Sequence, residues 1–386
     1  MNFRRLRARH QPTSCGSSIE TDDMCKAYFT TSAASRCAGA ICAAMTMFAM
    51  APAAAQSPGP QVLGSWRLCE ASAALVVDCP GSTSRCLLVG DNEEEESLFW
   101  FRLDDQGVDP ARQKTLELKG PKLGDIEALA GLANGKIVAF GSHSRNSACV
   151  RVPEKLRFGV IDRLTDQPVA VTLTQSEAIH CDALFGKHRP GQSLIPSACT
   201  AIETAEKAAE KVKGAKEKCN QVQAYNAEGA VNVSRTEVAD IWIGLRAPLL
   251  PHPRKKKAPG LALLMHLKGL DAYAFDKVAA LDMGGRGVRE LAYTNDGWVW
   301  VIAGPPQDLK EPFQLWRFAV ERLGANEIIK PERVHGDLPT SSEGLAVFKD
   351  KLLILIDGSK ATKERPGKCE KPAGVMVLRR SVSTPK

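Results

Sequence analysis

A repeated pattern of apolar strands runs through the chain from residue 70 onwards. Each repeat opens on a Glu, continues into an apolar strand, turns through polar residues, and returns in a second, more strongly apolar strand. Two of the turns contain Asn134-Gly135 and Asp296-Gly297, which are typical of tight hairpins. The opening residues are Glu70, Glu127, Glu228, Glu290 and Glu343. The sequence therefore predicts five antiparallel hairpins.

Two further strand-like segments follow each of the first four hairpins. Residues 98–103 and 114–118 come after the first hairpin, and residues 315–320 and 327–330 come after the fourth. Four strands in every repeat are typical of propeller blades. The repeats therefore predict an all-β propeller.

The fifth repeat supplies only one further strand, residues 374–379, before the chain ends. Residues 61–68 precede the first repeat and also have the pattern of a strand, so the N-terminal strand can complete the last blade. Such pairing removes the exposed edges of an open sheet. We predict a five-bladed β-propeller closed by its N-terminal strand, with six blades as the alternative.

The long interval between Glu127 and Glu228 favours an insertion over a hidden sixth blade. Residues 200–222 are rich in Ala, Glu and Lys and predict an amphipathic helix within an insertion at about residues 175–225. We expect this helix to pack against a blade rather than to act as a lid or a partner site. Its apolar face contains Ile202, Ala205, Ala209, Val212 and Cys219.

The first 55 residues have the layout of a cleaved secretory signal. Lys26 and Arg36 precede the apolar residues 37–50, and the small residues 53–55 follow. Translation is expected to start at Met24, so that residues 1–23 are an over-extension. Residues 56–60 then form a linker, and residues 61–386 form a single propeller domain. We expect a periplasmic or secreted protein without a membrane contact after signal cleavage.

Charge gives little support to nucleic-acid binding. The chain has 51 Lys plus Arg and 44 Asp plus Glu, a net charge of +7, and the predicted signal removes part of this excess. The basic residues 254–257 lie between prolines and are interpreted as a solvated loop. We expect a monomer that binds no nucleic acid.

The cysteines agree with export, because disulfides form in oxidising compartments. Eight remain after signal removal, and none forms a CxxC pair. The paired termini predict a Cys69–Cys369 bond, the first hairpin turn predicts Cys79–Cys86, and the helical insertion predicts Cys199–Cys219. By elimination, the two remaining cysteines, Cys149 and Cys181, are predicted to form the fourth disulfide.

Several motifs in order resemble the bacterial domain of unknown function 3616 family across roughly residues 65 to 380. They are IEALAGL with GSHSRN, IWIGLRAP, LDMGGRGVREL, VIAGPP, FQLWRF and EGLAVF. The resemblance implies a secreted, propeller-like domain, distantly reminiscent of esterase-like phytases, without an established activity. Cys149, which follows GSHSRN, and the insertion with its cysteines depart from the family pattern.

Candidate chemistry follows from the geometry of a blade. Its first strand begins and its second strand ends on the same face of the ring, so these residues should surround one channel mouth. Clustered carboxylates suit Ca²⁺ or Mg²⁺, and arginines suit phosphate or carboxylate groups. The candidate metal ligands are Glu70, Asp91, Glu228, Glu290, Glu343 and Asp357. The candidate substrate-binding residues are Arg145, Asn146, Arg246 and Arg289, and the candidate catalytic residues are His143 and Glu127.

Each of these residues also has a structural interpretation. A repeated Glu can accept backbone hydrogen bonds or pair with an Arg of the next blade, and a hydrogen-bonded structural His143 is favoured over a general base. No Walker loop or dinucleotide fingerprint is present, so we expect no nucleotide cofactor.

Two functions remain open. The first is a metal-assisted hydrolase of a phosphoester or other ester, with a small anionic substrate. The second is a non-catalytic propeller that binds a protein, a glycan or a small anion.

Overall fold

The structure is a computed structural model that describes most of the chain after residue 58. It covers residues 59–63, 68–165, 167–175, 194–215, 219, 221–267, 269–270, 275–307, 309, 311–324, 327–361, 369–381 and 385. The predicted signal, residues 1–55, lies outside the described residues. No helix in the described ranges is both long and apolar enough to cross a membrane.

Strands dominate the described residues. The first group is β1 (Gln61–Val62), β2 (Ala71–Asp78), β3 (Arg85–Asp91), β4 (Ser97–Leu103) and β5 (Val108–Lys119). There follow β6 (Ile126–Gly131), β7 (Ile137–Gly141), β8 (Phe158–Ile161) and β9 (Val169–Gln175). After the helix come β10 (Asn226–Asn232), β11 (Ile241–Ala247), β12 (Ala262–Leu267) and β13 (Phe275–Leu281).

The remaining strands lie in the last hundred residues. They are β14 (Gly287–Thr294), β15 (Trp298–Gly304), β16 (Phe313–Ala319), β17 (Ile328–Ile329) and β18 (Glu332–Leu338). The last five are β19 (Ser342–Phe348), β20 (Lys351–Ile356), β21 (Ser359–Ala361), β22 (Cys369–Lys371) and β23 (Gly374–Arg379). The strands β21 and β22 pair only with each other. The predicted all-β class with a helical insertion is confirmed.

Antiparallel hydrogen bonding joins these strands into groups that follow the predicted repeat. Four groups of antiparallel neighbours have the orders β2-β3-β4-β5, β6-β7-β8-β9, β10-β11-β12-β13 and β14-β15-β16-β18, and a parallel pairing of β5 with β9 joins the first two groups into one eight-stranded sheet. A further group, β19-β20-β23-β1, combines the two ends of the chain, and Gln61 lies opposite Val375. Gly135 and Gly297 adopt positive φ angles of 81° and 94° in the predicted turns. These groups give the propeller-like fold that the repeats predict.

One predicted strand belongs to a different group. Residues 327–330 were expected to be the fourth strand after the Glu290 hairpin, but that position is taken by β18. The short β17 instead pairs in parallel with β13, placing Ile328 opposite Ala280 and Ile329 opposite Leu281. Ile329 is buried in the core there, which explains why this apolar pair joins the neighbouring sheet.

The first strands of the groups line one channel. β2 contacts β6, β6 contacts β10, β10 contacts β14, β14 contacts β19, and β19 contacts β2. All five strands line a cavity of about 380 Å³, with residues such as Leu75, Leu129, Val231, Leu291 and Leu345. The apolar parts of the hairpins therefore face both this channel and the layers between neighbouring groups.

The insertion contains the helix α1 (Leu194–Lys211). Outside the insertion, short 3-10 helices lie at Pro153–Leu156 and Val320–Arg322. The predicted bounds, residues 200–222, were wrong at both ends. Gly214 has a positive φ of 84°, and its N–H donates to the carbonyl of Ala148, so the chain turns where the pattern predicted more helix. Buried Ile195 and Ile202 pack with strand residues in one core cluster. Packing against the sheets, the expected role, is therefore observed.

Three disulfides join the described cysteines, and two of them are predicted pairs. Cys69 bonds to Cys369 and Cys79 bonds to Cys86. The predicted Cys199–Cys219 and Cys149–Cys181 pairs were wrong, because Cys149 bonds to Cys219 and Cys199 is a buried free thiol. The turn at Gly214 brings the end of the insertion onto the residues near Cys149, and helix periodicity does not reveal this contact. Cys181 lies outside the described residues.

Candidate functional site

A β-bulge recurs where the first strand of each group begins. In each group the register between the first and second strands shifts by one residue near the start of the first strand. The shifts lie between Ala71 and Ala73, Ile126 and Ala128, Ala227 and Gly229, Val288 and Glu290, and Ser342 and Gly344. Bulges of this kind redirect a side chain and are common beside active sites. The residues inside the shifts are Ser72, Glu127, Glu228, Arg289 and Glu343, which we call the bulge ring.

The bulge ring corrects the alignment of the repeats. Glu127, Glu228 and Glu343 were placed correctly as equivalent positions. Glu70 and Glu290 were not, because the equivalent residues are Ser72 and Arg289. The sequence analysis missed Ser72, a buried residue whose hydroxyl donates to the carbonyl of Ile126, since its group was aligned on the nearby Glu.

Arg289 joins two carboxylates of the bulge ring. Its Nε lies 2.8 Å from Oε2 of Glu228, and both side chains are only 5% exposed. Its Nη2 donates to Oε1 of Glu343 on the other side. The guanidinium also lies 5.0 Å above the ring of Phe313. The ring thus contains an arginine held between glutamates of two neighbouring groups.

Glu228 has a second basic partner. Nη1 of Arg246 lies 3.0 Å from Oε1 of Glu228, and Nδ2 of Asn226 donates to the same oxygen at 2.8 Å. Burial raises the pKa of Glu228, while Arg289 and Arg246 lower it in part. Neutralisation by two arginines is what allows this carboxylate to remain in the interior.

Glu127 lies in the same electrostatic field without an arginine of its own. Burial raises its pKa well above the ordinary value, and the charges of Asp125, Glu228 and Glu343 raise it further. Arg289 lowers the pKa only in part. Burial and the three neighbouring carboxylates therefore favour the protonated form of the Glu127 carboxyl group, which can donate a hydrogen bond.

Glu290 is a structural carboxyl. It is 1% exposed, and its Oε1 accepts a hydrogen bond from the N–H of Leu291 at 2.8 Å. Burial raises its pKa well above the ordinary value, and the backbone N–H groups of Leu291, Ala74 and Ala230 lower it in part. Ala74 and Ala230 belong to the first strands of other groups, so the Glu290 carboxyl group lies near three first strands, and its buried Oε2 has no hydrogen-bond partner among the described residues.

Asp357, which follows β20, has a strongly raised pKa. Burial raises its pKa to about 8, and the charges of Glu343, Glu70 and Asp91 contribute. Its Oδ1 is buried and has no hydrogen-bond partner among the described residues. The carboxyl group therefore retains its proton near neutral pH and has an unused hydrogen-bonding position.

Asp91 holds the backbone before β2 in place. Its Oδ2 accepts hydrogen bonds from the N–H groups of Cys69 at 2.8 Å and Glu70 at 3.0 Å, and its Oδ1 accepts one from Glu93. Burial raises its pKa, although these three N–H groups lower it.

Four of the six predicted metal ligands are engaged by other groups of the protein. Glu228 and Glu343 are paired with arginines, Asp91 is occupied by backbone N–H groups, and Glu290 accepts the N–H of Leu291. Within the described ranges, no three His, Cys, Asp or Glu side chains form a group suited to a metal ion. We therefore derive no reaction step through a metal.

His143 lies in the interior rather than at an open surface. It is 2% exposed, and its Nδ1 lies 2.8 Å from the carbonyl oxygen of Gly141. Burial lowers its pKa to about 4, so the ring is neutral. The ring also makes an edge contact with Tyr225, at 6.0 Å between centroids. This setting favours the structural interpretation over a general base.

Three predicted substrate-binding residues share a pocket of about 530 Å³. Arg145, Asn146 and Arg246 line it together with Tyr225 and Asn226. We call it the mouth pocket. It adjoins the bulge ring, because Arg246 and Asn226 both bind Glu228. Arg289 is not among the residues that line it.

Arg145 is engaged mainly in holding the insertion. Its Nη2 lies 2.8 Å from Oε2 of Glu206 and 2.6 Å from Oε1 of Glu210, both on α1. Its Nη1 donates to the carbonyl of Cys149. Arg246 therefore has the better placement for a ligand.

Comparison with solved structures finds similar shapes at low identity. The GH43 β-1,3-galactosidase with galactodeoxynojirimycin is 11% identical, with a TM-score of 0.45, covering 84% of this chain and 94% of that one. PhoX from Pseudomonas fluorescens in complex with vanadate is 11% identical, with a TM-score of 0.43, covering 83% and 94%. A protein of unknown function from Dyadobacter fermentans is 10% identical, with a TM-score of 0.40, covering 84% and 99%.

Sequence comparison agrees with the motifs. None of the curated proteins compared with the sequence matches it. Residues 230–369 match a family model, and this segment contains IWIGLRAP, LDMGGRGVREL, VIAGPP, FQLWRF and EGLAVF. The resemblance indicated by the sequence is confirmed, because residues 230–369 match the model of the family described as protein of unknown function (DUF3616).

Proposed function

We propose that the chain is an exported, five-bladed propeller that hydrolyses a phosphoester or other ester at the mouth formed by the bulge ring. The contact of β19 with β2 supports a closed ring, and the pairing of β1 with β23 supports closure by the N-terminal strand. The three disulfides support an oxidising compartment, either the periplasm or the exterior. The protein acts as a monomer on a small anionic substrate.

The observation that carries the hydrolase proposal is the contrast between Asp357 and Glu343. Asp357 holds a proton near neutral pH, and Glu343 lies against the guanidinium of Arg289. A protonated carboxyl group can serve as the general acid of a hydrolase, and a second carboxyl group can serve as its general base. The unpartnered Oδ1 of Asp357 and Nη1 of Arg289, both without a partner in the described part of the chain, are available to a bound substrate.

The reaction can be written with these groups alone. Glu343 accepts a proton from a water molecule, and the water oxygen attacks the carbonyl carbon or the phosphorus of the ester. Arg246 and Arg289 stabilise the negative charge that develops on the substrate. Asp357 gives its proton to the leaving alcohol oxygen as the ester bond breaks. Proton exchange with solvent restores both carboxyl groups.

A screen of chromogenic substrates tests this proposal. We expect p-nitrophenyl phosphate or p-nitrophenyl carboxyl esters to be hydrolysed, and the Asp357→Asn variant to lose roughly 10²–10⁴-fold in rate, the range for one general acid. Asp78→Asn, an exposed carboxylate paired with Arg85, is the matched control and should retain full activity. If no substrate is hydrolysed, or if Asp357→Asn is fully active, the hydrolase proposal is wrong.

The mouth pocket favours a second candidate, a non-catalytic propeller that binds a small anion. Arg145, Asn146 and Arg246 line that pocket with hydrogen-bond donors. This candidate predicts no turnover of any ester, together with saturable binding of inorganic phosphate that the Arg246→Gln variant loses. The divalent cation expected from the sequence stays a prediction, and neither candidate depends on it.

A further inference from the structure

An apolar groove lies between α1 and the segment that follows β11. Its volume is about 750 Å³, which is within the range of small-molecule sites. Ala201, Ala205 and Ala208 of α1 form one wall, and Pro248 and Leu249 belong to the opposite wall. We call this the helix groove.

The groove exists because α1 uses a different face to bind the sheets. Ile195, Ala198 and Ile202 are buried against strand residues. Ala201 and Ala205 lie on the adjoining face and are only half-buried. Both alanines line the groove, so apolar surface of the helix is left open there.

A basic segment begins at the edge of the helix groove. Pro253 lines the groove, and the next four residues are Arg254, Lys255, Lys256 and Lys257. All four are exposed, as the sequence predicted for a solvated loop. Hydrogen bonds between Leu250 and Leu261 close the base of this loop. No carboxylate in the described part of the chain forms an ion pair with these four residues.

We propose that the helix groove binds one amphipathic anion, with an acyl chain along the alanine and proline walls and a carboxylate or sulfate group at Lys255 and Lys256. Burial of the chain supplies the affinity, at about 0.8 kcal/mol per CH₂ group. The unpaired lysines supply the preference for an anionic head. The ligand is a dissolved monomer rather than a bilayer, because the apolar surface is concave, whereas membrane-bound helices project their apolar face. This site does not depend on hydrolysis at the mouth.

Calorimetry with three probes separates the contribution of the acyl chain from that of the anionic head group. Laurate, below its micellar concentration, has both chain and charge. Hexanoate keeps the charge on a shorter chain, and dodecyl maltoside keeps the chain with a neutral head. We expect one laurate to bind per protein, with hexanoate and dodecyl maltoside each at least tenfold weaker. Equal binding of laurate and dodecyl maltoside, or no binding of laurate, overturns the proposal.

Variants locate the site. Ala205→Gln places a longer polar side chain in the groove at a half-buried helix position, and it should abolish laurate binding. Lys255→Glu with Lys256→Glu should weaken laurate binding at least tenfold, because two positive charges near the anionic head are replaced by two negative charges. The matched control is Lys114→Glu with Lys119→Glu, exposed residues of β5 that should leave binding unchanged.

The outcomes remain decisive if a variant fails to fold. The three probes on the parent protein test chain and charge without any substitution, and raising the salt concentration should weaken the binding of laurate but not that of dodecyl maltoside. If the Lys114→Glu, Lys119→Glu control loses as much laurate binding as the Lys255→Glu, Lys256→Glu variant, the basic segment has no specific role. Binding to phosphatidylglycerol vesicles without binding of monomeric laurate would indicate a membrane surface. Either result overturns the proposal.

Discussion

The Nε atom of Arg289 lies 2.8 Å from Oε2 of Glu228, although the two residues come from the first strands of neighbouring groups. The same guanidinium reaches Glu343 of the next group. Arg289 therefore balances charge and joins three groups at the same time. Loss of one partner of a buried ion pair costs far more than loss of an exposed pair, because the other charge is left without compensation.

We expect Arg289→Met to lower the free energy of unfolding by about 3–5 kcal/mol, the cost of leaving a buried carboxylate unpaired. Urea unfolding measures this change. Arg322→Met is the matched control, since Arg322 and Glu327 form an exposed pair, and it should cost at most about 1 kcal/mol. Adding Glu228→Gln to Arg289→Met should restore part of the stability. No restoration would show that the cost comes from packing on Phe313.

Asp357 should make stability depend on pH. Its pKa of about 8 in the folded protein lies above the ordinary value of 3.8, so the folded state holds this proton more tightly than the unfolded chain. Stability from this group is therefore lost as the pH rises from about 4 to above 8. In Asp357→Asn the free energy of unfolding should fall less steeply over this range, whereas Asp78→Asn should behave like the parent. Parallel slopes for the parent and Asp357→Asn would contradict the shifted pKa.

His266 should give a separate pH dependence. Its Nε2 lies 3.1 Å from Oδ1 of Asp240, and its Nδ1 contacts Oδ1 of Asp276. Burial lowers the pKa of His266, but the two carboxylates outweigh burial and raise it above 6.5. The stabilisation of the folded state by protonated His266 is thus complete below about pH 6.5, and it is lost as the pH rises through the raised pKa of His266. His266→Gln should remove this loss, and NMR titration of the imidazole should show the raised pKa.

The Cys149–Cys219 bond should be the disulfide that fixes the insertion. It closes a loop of 70 residues, for which the chain-entropy account gives about 4 kcal/mol. Replacing both cysteines by Ala should lower the free energy of unfolding by up to this amount. Peptide mapping of the non-reduced protein should find Cys149 with Cys219 and Cys69 with Cys369. A free Cys369 would contradict closure of the ring through the termini.

The repeats were visible in the sequence because each hairpin combines alternating apolar residues with a turn signal such as Asn134-Gly135. The common mouth also follows from blade geometry, and the structure brings Glu127, Glu228 and Glu343 together there. The bulge was not visible, because a bulge changes hydrogen-bond pairing without a fixed residue type.

Other errors share a physical origin in long-range contacts. β17 joins the neighbouring group through a parallel pairing of only two residues. Such a short pairing leaves no periodic pattern of apolar residues in the sequence. The Cys149–Cys219 bond depends on the turn at Gly214, where helix propensity still favoured a helix. Pairing of a repeated Glu with an Arg of a neighbouring blade was left open as the structural alternative, but the sequence could not show which carboxylates are neutralised in this way.

The last prediction concerns that cation. If the carboxylates of the bulge ring are satisfied by arginines and protons, added Ca²⁺ should leave the melting temperature unchanged. A ligand at about 100 times its dissociation constant would instead stabilise the folded state by about 2.7 kcal/mol, a shift of several degrees. Glu127→Gln should melt like the parent, because burial raises the pKa of Glu127 and favours its uncharged form, whereas Glu343→Gln should melt lower, because Arg289 loses an ion-pair partner. A Ca²⁺-dependent rise in the parent that both variants lose would restore the metal site that the sequence predicts.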